Sequence, residues 1–207
     1  MDLHITDASA LAQIDCQVEA LPMSPAEYEI VRQVIYYTAD FEYSSIIKFN
    51  HHALAKGAAA IAARSTIIVD IPAIQVQIVP KLQKTFCNPV YCCSTTAVRP
   101  QKRKTKAAWG LETLAKTHPD DIYVIGQDAT ALGTLAELTA RKATNPALII
   151  FTAPMFIEQD MKQWLIKSAI PSIYIDNPKG NATVATAIVN SLIDLTWQAY
   201  EINSSSK

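Results

Sequence analysis

The chain has 207 residues, half of them hydrophobic and 18 % charged, with a formal net charge of −1. That length and composition suit one domain with a sizeable buried core and exclude a disordered chain. The near-zero charge excludes an overall attraction to nucleic acid or anionic lipid, and no apolar run reaches the ~18 residues a membrane span needs.

Residues 1–23 carry no clear period and read as an irregular N-terminal segment. Met1-Asp2-Leu3-His4-Ile5-Thr6-Asp7 has no basic stretch followed by an apolar one, so a cytoplasmic location is the expectation. Ser24-Pro25-Ala26-Glu27 starts a helix: serine caps, proline suits the first helical position, and Glu27 completes a capping box. Ile30, Val34 and Tyr37 would share one face of this helix over residues 25–37. Alanine dominates residues 53–64, which predicts a second helix with Gly57 as its weak point.

Short apolar runs follow, alternating with helical patterns. Strands are predicted at Thr66-Ile67-Ile68-Val69-Asp70, Pro89-Val90-Tyr91-Cys92-Cys93, Asp121-Ile122-Tyr123-Val124-Ile125-Gly126, Ala147-Leu148-Ile149-Ile150-Phe151-Thr152 and Ser172-Ile173-Tyr174-Ile175-Asp176. Helices are predicted at residues 105–116, 129–142, 158–168 and 181–200. Continuous apolar strands alternating with helices imply an α/β fold: a mainly parallel sheet with helices on both faces, a Rossmann-like three-layer sandwich. No linker or internal repeat divides the chain, so a single domain over 1–207 is expected, with a frayed polar tail at 203–207.

Ligands of such sheets bind beyond the carboxyl ends of the strands. That rule selects Asp70, Ser94-Thr95-Thr96, Gly126-Gln127-Asp128, Thr152-Ala153-Pro154 and the loop 176–181. Asp128 and Asn181 also read as helix N-caps. Arg99, Lys102, Arg103, Lys104 and Lys106 form a basic run with no acid in it, suited to a polycarboxylate or phosphate if it is more than a solvated loop. No aromatics interleave there to stack on bases, so no nucleic-acid partner is expected, and no Gly-rich nucleotide motif or nucleophile elbow is present. Cys16, Cys87, Cys92 and Cys93, with His51 and His52, match no common zinc spacing; no metal is expected.

The stretch Val34-Ile35-Tyr36-Tyr37-Thr38-Ala39-Asp40-Phe41-Glu42-Tyr43 resembles the opening motif of the precorrin-8X methylmutase (precorrin isomerase) family. That motif reads as an aliphatic pair, a His, and a Thr-Gly-Asp-Phe-like run; Tyr36 stands where the family carries its His. The resemblance extends over residues 24–195. Phe49-Asn50 with Ala53 and Gly57, then Asp70 at the end of a strand, follow the family order, while Ala73 and Gln77 replace an expected Met and Gly. Thr105-Lys106-Ala107-Ala108 resembles a Thr-Arg-Ser/Ala-Ala helix start. Ile125-Gly126-Gln127-Asp128-Ala129-Thr130-Ala131-Leu132 resembles Ile-Gly-Asn-Ala-Pro-Thr-Ala-Leu, and Gly180-Asn181-Ala182 stands at a Gly-Gly-Ser.

The resemblance implies an isomerase that moves a methyl group from C11 to C12 of a corrin precursor, without organic or metal cofactor, in a homodimer. It places Tyr36 at the catalytic position. With the basic run and the strand-end loops, it gives Thr38, Asp70, Arg99, Thr105, Lys106, Gln127, Asp128, Thr130, Lys179, Gly180 and Asn181 as the expected substrate-binding residues. The family His is held to supply a proton. A free tyrosine, at pKa ~10 against ~6.5, is a weaker acid but still a hydrogen-bond donor. Three readings follow: an isomerase with a rebuilt pocket, an inactive relative that binds a tetrapyrrole or other polycarboxylate, and a structural homo-oligomeric module.

Overall fold

The computed structural model describes residues 4–18, 22–97, 99, 104–156 and 159–205. Its centre is one sheet of six strands: β1 (Ile47–Asn50), β2 (Ile67–Val69), β3 (Val90–Cys92), β4 (Ile122–Ile125), β5 (Leu148–Phe151) and β6 (Ser172–Ile175). The spatial order is β1-β6-β5-β4-β2-β3. All pairings are parallel except β1 with β6, where Ile47 lies opposite Ile175 and Asn50 opposite Ser172. Every residue of β2, β4, β5 and β6 is buried, which is why those runs read as unbroken apolar stretches.

The strands feed two cores, one on each face. Val69, Val124, Ile150 and Ile173 point to the first, and Ile68, Tyr123, Ile149 and Tyr174 to the second, as the two-residue period of a strand requires. The first is covered by α1 (Ile5–Gln17), α2 (Pro25–Thr38), α4 (Ala53–Ala62), α5 (Pro72–Gln83) and α9 (Ala182–Ser205). The second is covered by α6 (Lys106–Leu114), α7 (Ala129–Ala140) and α8 (Gln159–Lys167). The three-layer α/β sandwich expected from the sequence is therefore observed. A short α3 (Tyr43–Ile46) leads into β1, and a 3₁₀ turn, Cys93–Thr95, leaves β3.

One local expectation is corrected, and two further details come from the structure. The N-terminal segment is not irregular through 1–23: α1 occupies Ile5–Gln17, with His4 accepting the Thr6 N–H at its start. Only Leu11 and Ile14 of α1 are buried, so its apolar stripe is too thin to read. Docking on α2 supports it, through Tyr28 donating to Asp15 (2.7 Å) and Arg32 pairing with Asp15 (3.0 Å). Helix α9 continues to Ser205, into the tail read as frayed, and residues 206 and 207 lie outside the described residues. Residues 72–83, to which the sequence assigned no element, form α5. The capping box of Ser24 and Glu27 forms as read, with the Ser24 N–H donating to Glu27 at 2.7 Å.

Candidate active site

Neighbouring strands β2 and β4 send their following helices, α5 and α7, to opposite faces, so a crevice opens at their carboxyl ends. Asp70, which ends β2, fills it. Its Oδ2 accepts the backbone N–H of Gln127 (2.7 Å) and Asp128 (2.8 Å), and its carbonyl accepts the Ser94 N–H (3.1 Å). The residue is 1 % exposed. Burial pushes its carboxyl above the usual carboxylate range, against the pull of those N–H groups. Its Oδ1 is buried and has no partner among the described residues. Asp70 thus occupies the N–H groups that lead into α7 and fixes the loop there.

The rim beside it is built from helix starts. Thr105 caps α6 by accepting the Ala108 N–H (3.1 Å), and Asp128 caps α7 by accepting the Thr130 N–H (3.0 Å). The Thr130 hydroxyl donates to Asp128 (2.7 Å), so the Thr105 hydroxyl, 2.9 Å away, must donate to Thr130. Lys106 opens α6 with an exposed side chain; Arg99 and Gln127 are exposed too. Lys104 is committed elsewhere: it meets Glu112 at 3.0 Å and Glu137 at 3.6 Å and lies 5.4 Å from the Trp109 ring centre. Lys102 and Arg103 of the basic run lie outside the described residues.

A second group gathers where α2 ends against the loop from β6 to α9. Here a groove of about 490 Å³ is lined by Tyr37, Thr38, Asp40, Tyr43, Lys179, Asn181 and Thr183. Thr38 donates to the Val34 carbonyl (2.8 Å), finishing α2, and Ala39 follows with a left-handed φ of 53°. Lys179 meets Asp40 at 3.0 Å and also bonds Glu42. Those bonds raise the Lys179 ammonium pKa, and the Lys179 bond foremost lowers the Asp40 carboxyl. The Tyr43 hydroxyl donates to the Lys179 carbonyl (2.8 Å). Asn181 caps α9, its Oδ1 accepting the N–H of Thr183 (2.9 Å) and Val184 (3.1 Å). Gly180 is required by contact: a Cβ there would lie 2.1 Å from the Thr152 carbonyl oxygen. Thr152 in turn donates to the Asn181 carbonyl (2.8 Å).

The two groups adjoin at Gly126, where a Cβ would lie 3.1 Å from the Ala182 Cα. Tyr36 is not among the residues lining either. Its ring packs against the first core, and its hydroxyl donates to Asp7 Oδ1 of α1 at 2.8 Å. That bond, above all, raises the Tyr36 phenol pKa, so the group holds its proton more firmly than a free tyrosine. Asp7 carried no signal in the sequence, because 29 positions separate it from its partner. Glu42, Tyr43 and Thr183 were also missed as rim residues; the acidic pair around Phe41 was the available hint of an ion-paired loop. A further cavity of about 270 Å³, between α8 and the ends of β5 and β6, contains Lys162 paired with Asp176 at 2.6 Å. Among the described residues no three His, Cys, Asp or Glu side chains gather in a metal-holding group.

Comparison with known proteins identifies the family. The family model described as precorrin-8X methylmutase matches residues 5–195. The cobalt-precorrin-8 methylmutase of Synechocystis sp. is 32 % identical over 204 residues, covering 91 % of this chain and 94 % of that protein. The protein of the same name from Leptospira interrogans is 30 % identical, covering 86 % and 88 %. The solved precorrin-8X methylmutase of Thermus thermophilus superposes with a TM-score of 0.84 at 28 % identity, covering 94 % of this chain and 96 % of that one. On fold and sequence together, the chain belongs to the precorrin-8X methylmutase family.

Proposed function

We propose that this protein is a precorrin-8X methylmutase of corrin biosynthesis, moving a methyl group from C11 to C12 of a ring-contracted tetrapyrrole. The observation that carries this reading is the match to the family model over residues 5–195, which spans every element bordering the rim. The reaction is an isomerisation: one carbon–carbon bond to the methyl breaks as another forms, and no atom enters or leaves. The protein's task is to bind a polyanionic macrocycle and to stabilise charge as it develops on the ring.

The rim suits the first task. The starts of α6 and α9 border it, each a source of partial positive charge, with Lys106 exposed at the first turn of α6. In this reading Thr105, Lys106, Gln127 and Thr130 meet substrate carboxylates on one side of the macrocycle, and Thr38, Lys179, Gly180 and Asn181 border it on the other. Asp70 and Asp128 hold the loop in place. A homodimer, as the family resemblance implies, is part of the proposal.

One observation favours a second reading. The Tyr36 hydroxyl spends its single hydrogen-bond donor on Asp7, so the family acid has no direct substitute at its own position. A relative that binds the pigment without converting it is the alternative.

Visible absorption of purified protein mixed with precorrin-8X, with hydrogenobyrinate in parallel, separates the two. Spectral conversion of precorrin-8X establishes the isomerase. Binding of hydrogenobyrinate without conversion establishes the binder, and neither signal removes both. Light scattering on the same sample tests the dimer.

A further inference from the structure

Tyr36 and Tyr37 are consecutive on the last turn of α2, so they point about 100° apart around the helix axis. The two phenols have opposite fates. Tyr36 is partly buried against the core, with its hydroxyl held by Asp7. Tyr37 is 56 % exposed and lines the groove of about 490 Å³, and among the described residues its hydroxyl has no hydrogen-bond partner. Their rings meet edge-on, with centroids 5.4 Å apart and planes at 81°, so the braced ring of Tyr36 limits how the Tyr37 ring can turn.

We propose that Tyr37 is a catalytic residue of this protein: its free hydroxyl, on a side chain that lines the groove with Lys179 and Asn181, donates a hydrogen bond to the macrocycle where negative charge builds as the methyl migrates. The inference rests on the methylmutase reading. Tyr36, one residue earlier at the position of the family His, is a positioning residue that holds Tyr37 through ring contact.

The chemistry balances without a proton transfer. The C11–methyl bond breaks, the C12–methyl bond forms, and the phenol keeps its proton throughout. A neutral donor suffices because a hydrogen bond pre-aimed at developing charge acts without ionising. The site also holds the means to orient the substrate against this donor. Lys179 can exchange its bonds to Asp40 and Glu42 for a substrate carboxylate, and the N–H groups at the start of α9 lie under Asn181.

The test uses the full chain and precorrin-8X. Tyr37→Phe should lower kcat about 100-fold with KM nearly unchanged, the usual size of losing one aimed donor. Folding is not at risk, since the side chain is exposed. Tyr36→Phe should lower kcat less and should also lower the thermal midpoint, because it cuts the tie to α1.

Fluorotyrosine, a stronger hydrogen-bond donor, supplies a readout that structure alone would not move: placed at position 37 it should change kcat, and at position 36 it should not. Wild-type kcat in Tyr37→Phe would overturn the inference and leave the methylmutase reading intact. A wild-type chain that neither converts precorrin-8X nor binds hydrogenobyrinate would overturn the reading and the inference with it.

Discussion

Two carboxylates on the rim, Asp70 and Asp40, show how differently its two sides are built. Asp70 is sealed at the end of β2, and its partners are the backbone N–H groups of Gln127 and Asp128. Asp40 lies past the end of α2, and its partner is the ammonium of a half-exposed lysine, Lys179. Burial raises the first carboxyl; the bond to Lys179, foremost, lowers the second. The Asp70 side is therefore set before any ligand arrives. The Asp40 side is an ion-paired latch in solvent, whose net worth is small and whose partners can be exchanged. A large anionic ligand would use both: a fixed wall to register against, and a latch to trade contacts with.

The largest expected effect comes from disturbing the fixed side at Gly110, on α6. A Cβ there would lie 1.9 Å from the Cys93 carbonyl oxygen, so Gly110→Ala forces backbone apart and should cost about 3 kcal/mol in denaturant unfolding. An unchanged midpoint would show that this side yields easily. Next, Asp70→Ala removes the acceptor from two N–H groups and should cost about 2 kcal/mol, whereas Lys179→Met should barely move the midpoint.

The third test reads the two carboxylates by pH. Asp70 has a raised folded pKa, so its contribution is greatest below the unfolded carboxylate value of ~4 and falls as pH rises through the folded one. Asp40 has a lowered folded pKa, so its contribution is present above ~4 and is lost as pH falls through the folded value. Between pH 3 and 6, Lys179→Met should leave stability rising toward acid relative to wild type, and Asp70→Asn should leave it falling. Parallel curves for the two variants would contradict the contrast.

The smallest effect concerns the cap between the two sides. Ala39 adopts φ 53° at the end of α2, where the resembling family run carries glycine. Ala39→Gly removes the left-handed penalty but adds unfolded-state entropy, for a net gain of about 0.5 kcal/mol by thermal melting.

The sheet was legible because burial on both faces leaves strands such as Ile122-Tyr123-Val124-Ile125 with no polar interruption. Helix α5 was not. Ile74-Gln75-Val76-Gln77-Ile78 alternates like a strand, and Pro80 interrupts it, yet Ile74, Ile78 and Leu82 face the core while Val76 is 70 % exposed. Strand β1 is a four-residue edge whose pairing partner lies far along the chain, which no local pattern announces.

In the site, the caps Asp128 and Asn181 were readable from local chemistry, whereas Gly126 and Gly180 stood out through the family resemblance. The tie from Tyr36 to Asp7 was not, because it joins two helices distant in sequence. That tie separates the two phenols into one held and one free, which the string Tyr36-Tyr37 alone does not distinguish.

The most direct test of the account is single-turnover conversion of precorrin-8X by the wild-type chain, followed by visible absorption. The account predicts the product spectrum of hydrogenobyrinate at a rate well above the uncatalysed one, although no histidine stands at position 36. A bound but unchanged precorrin-8X spectrum would contradict it.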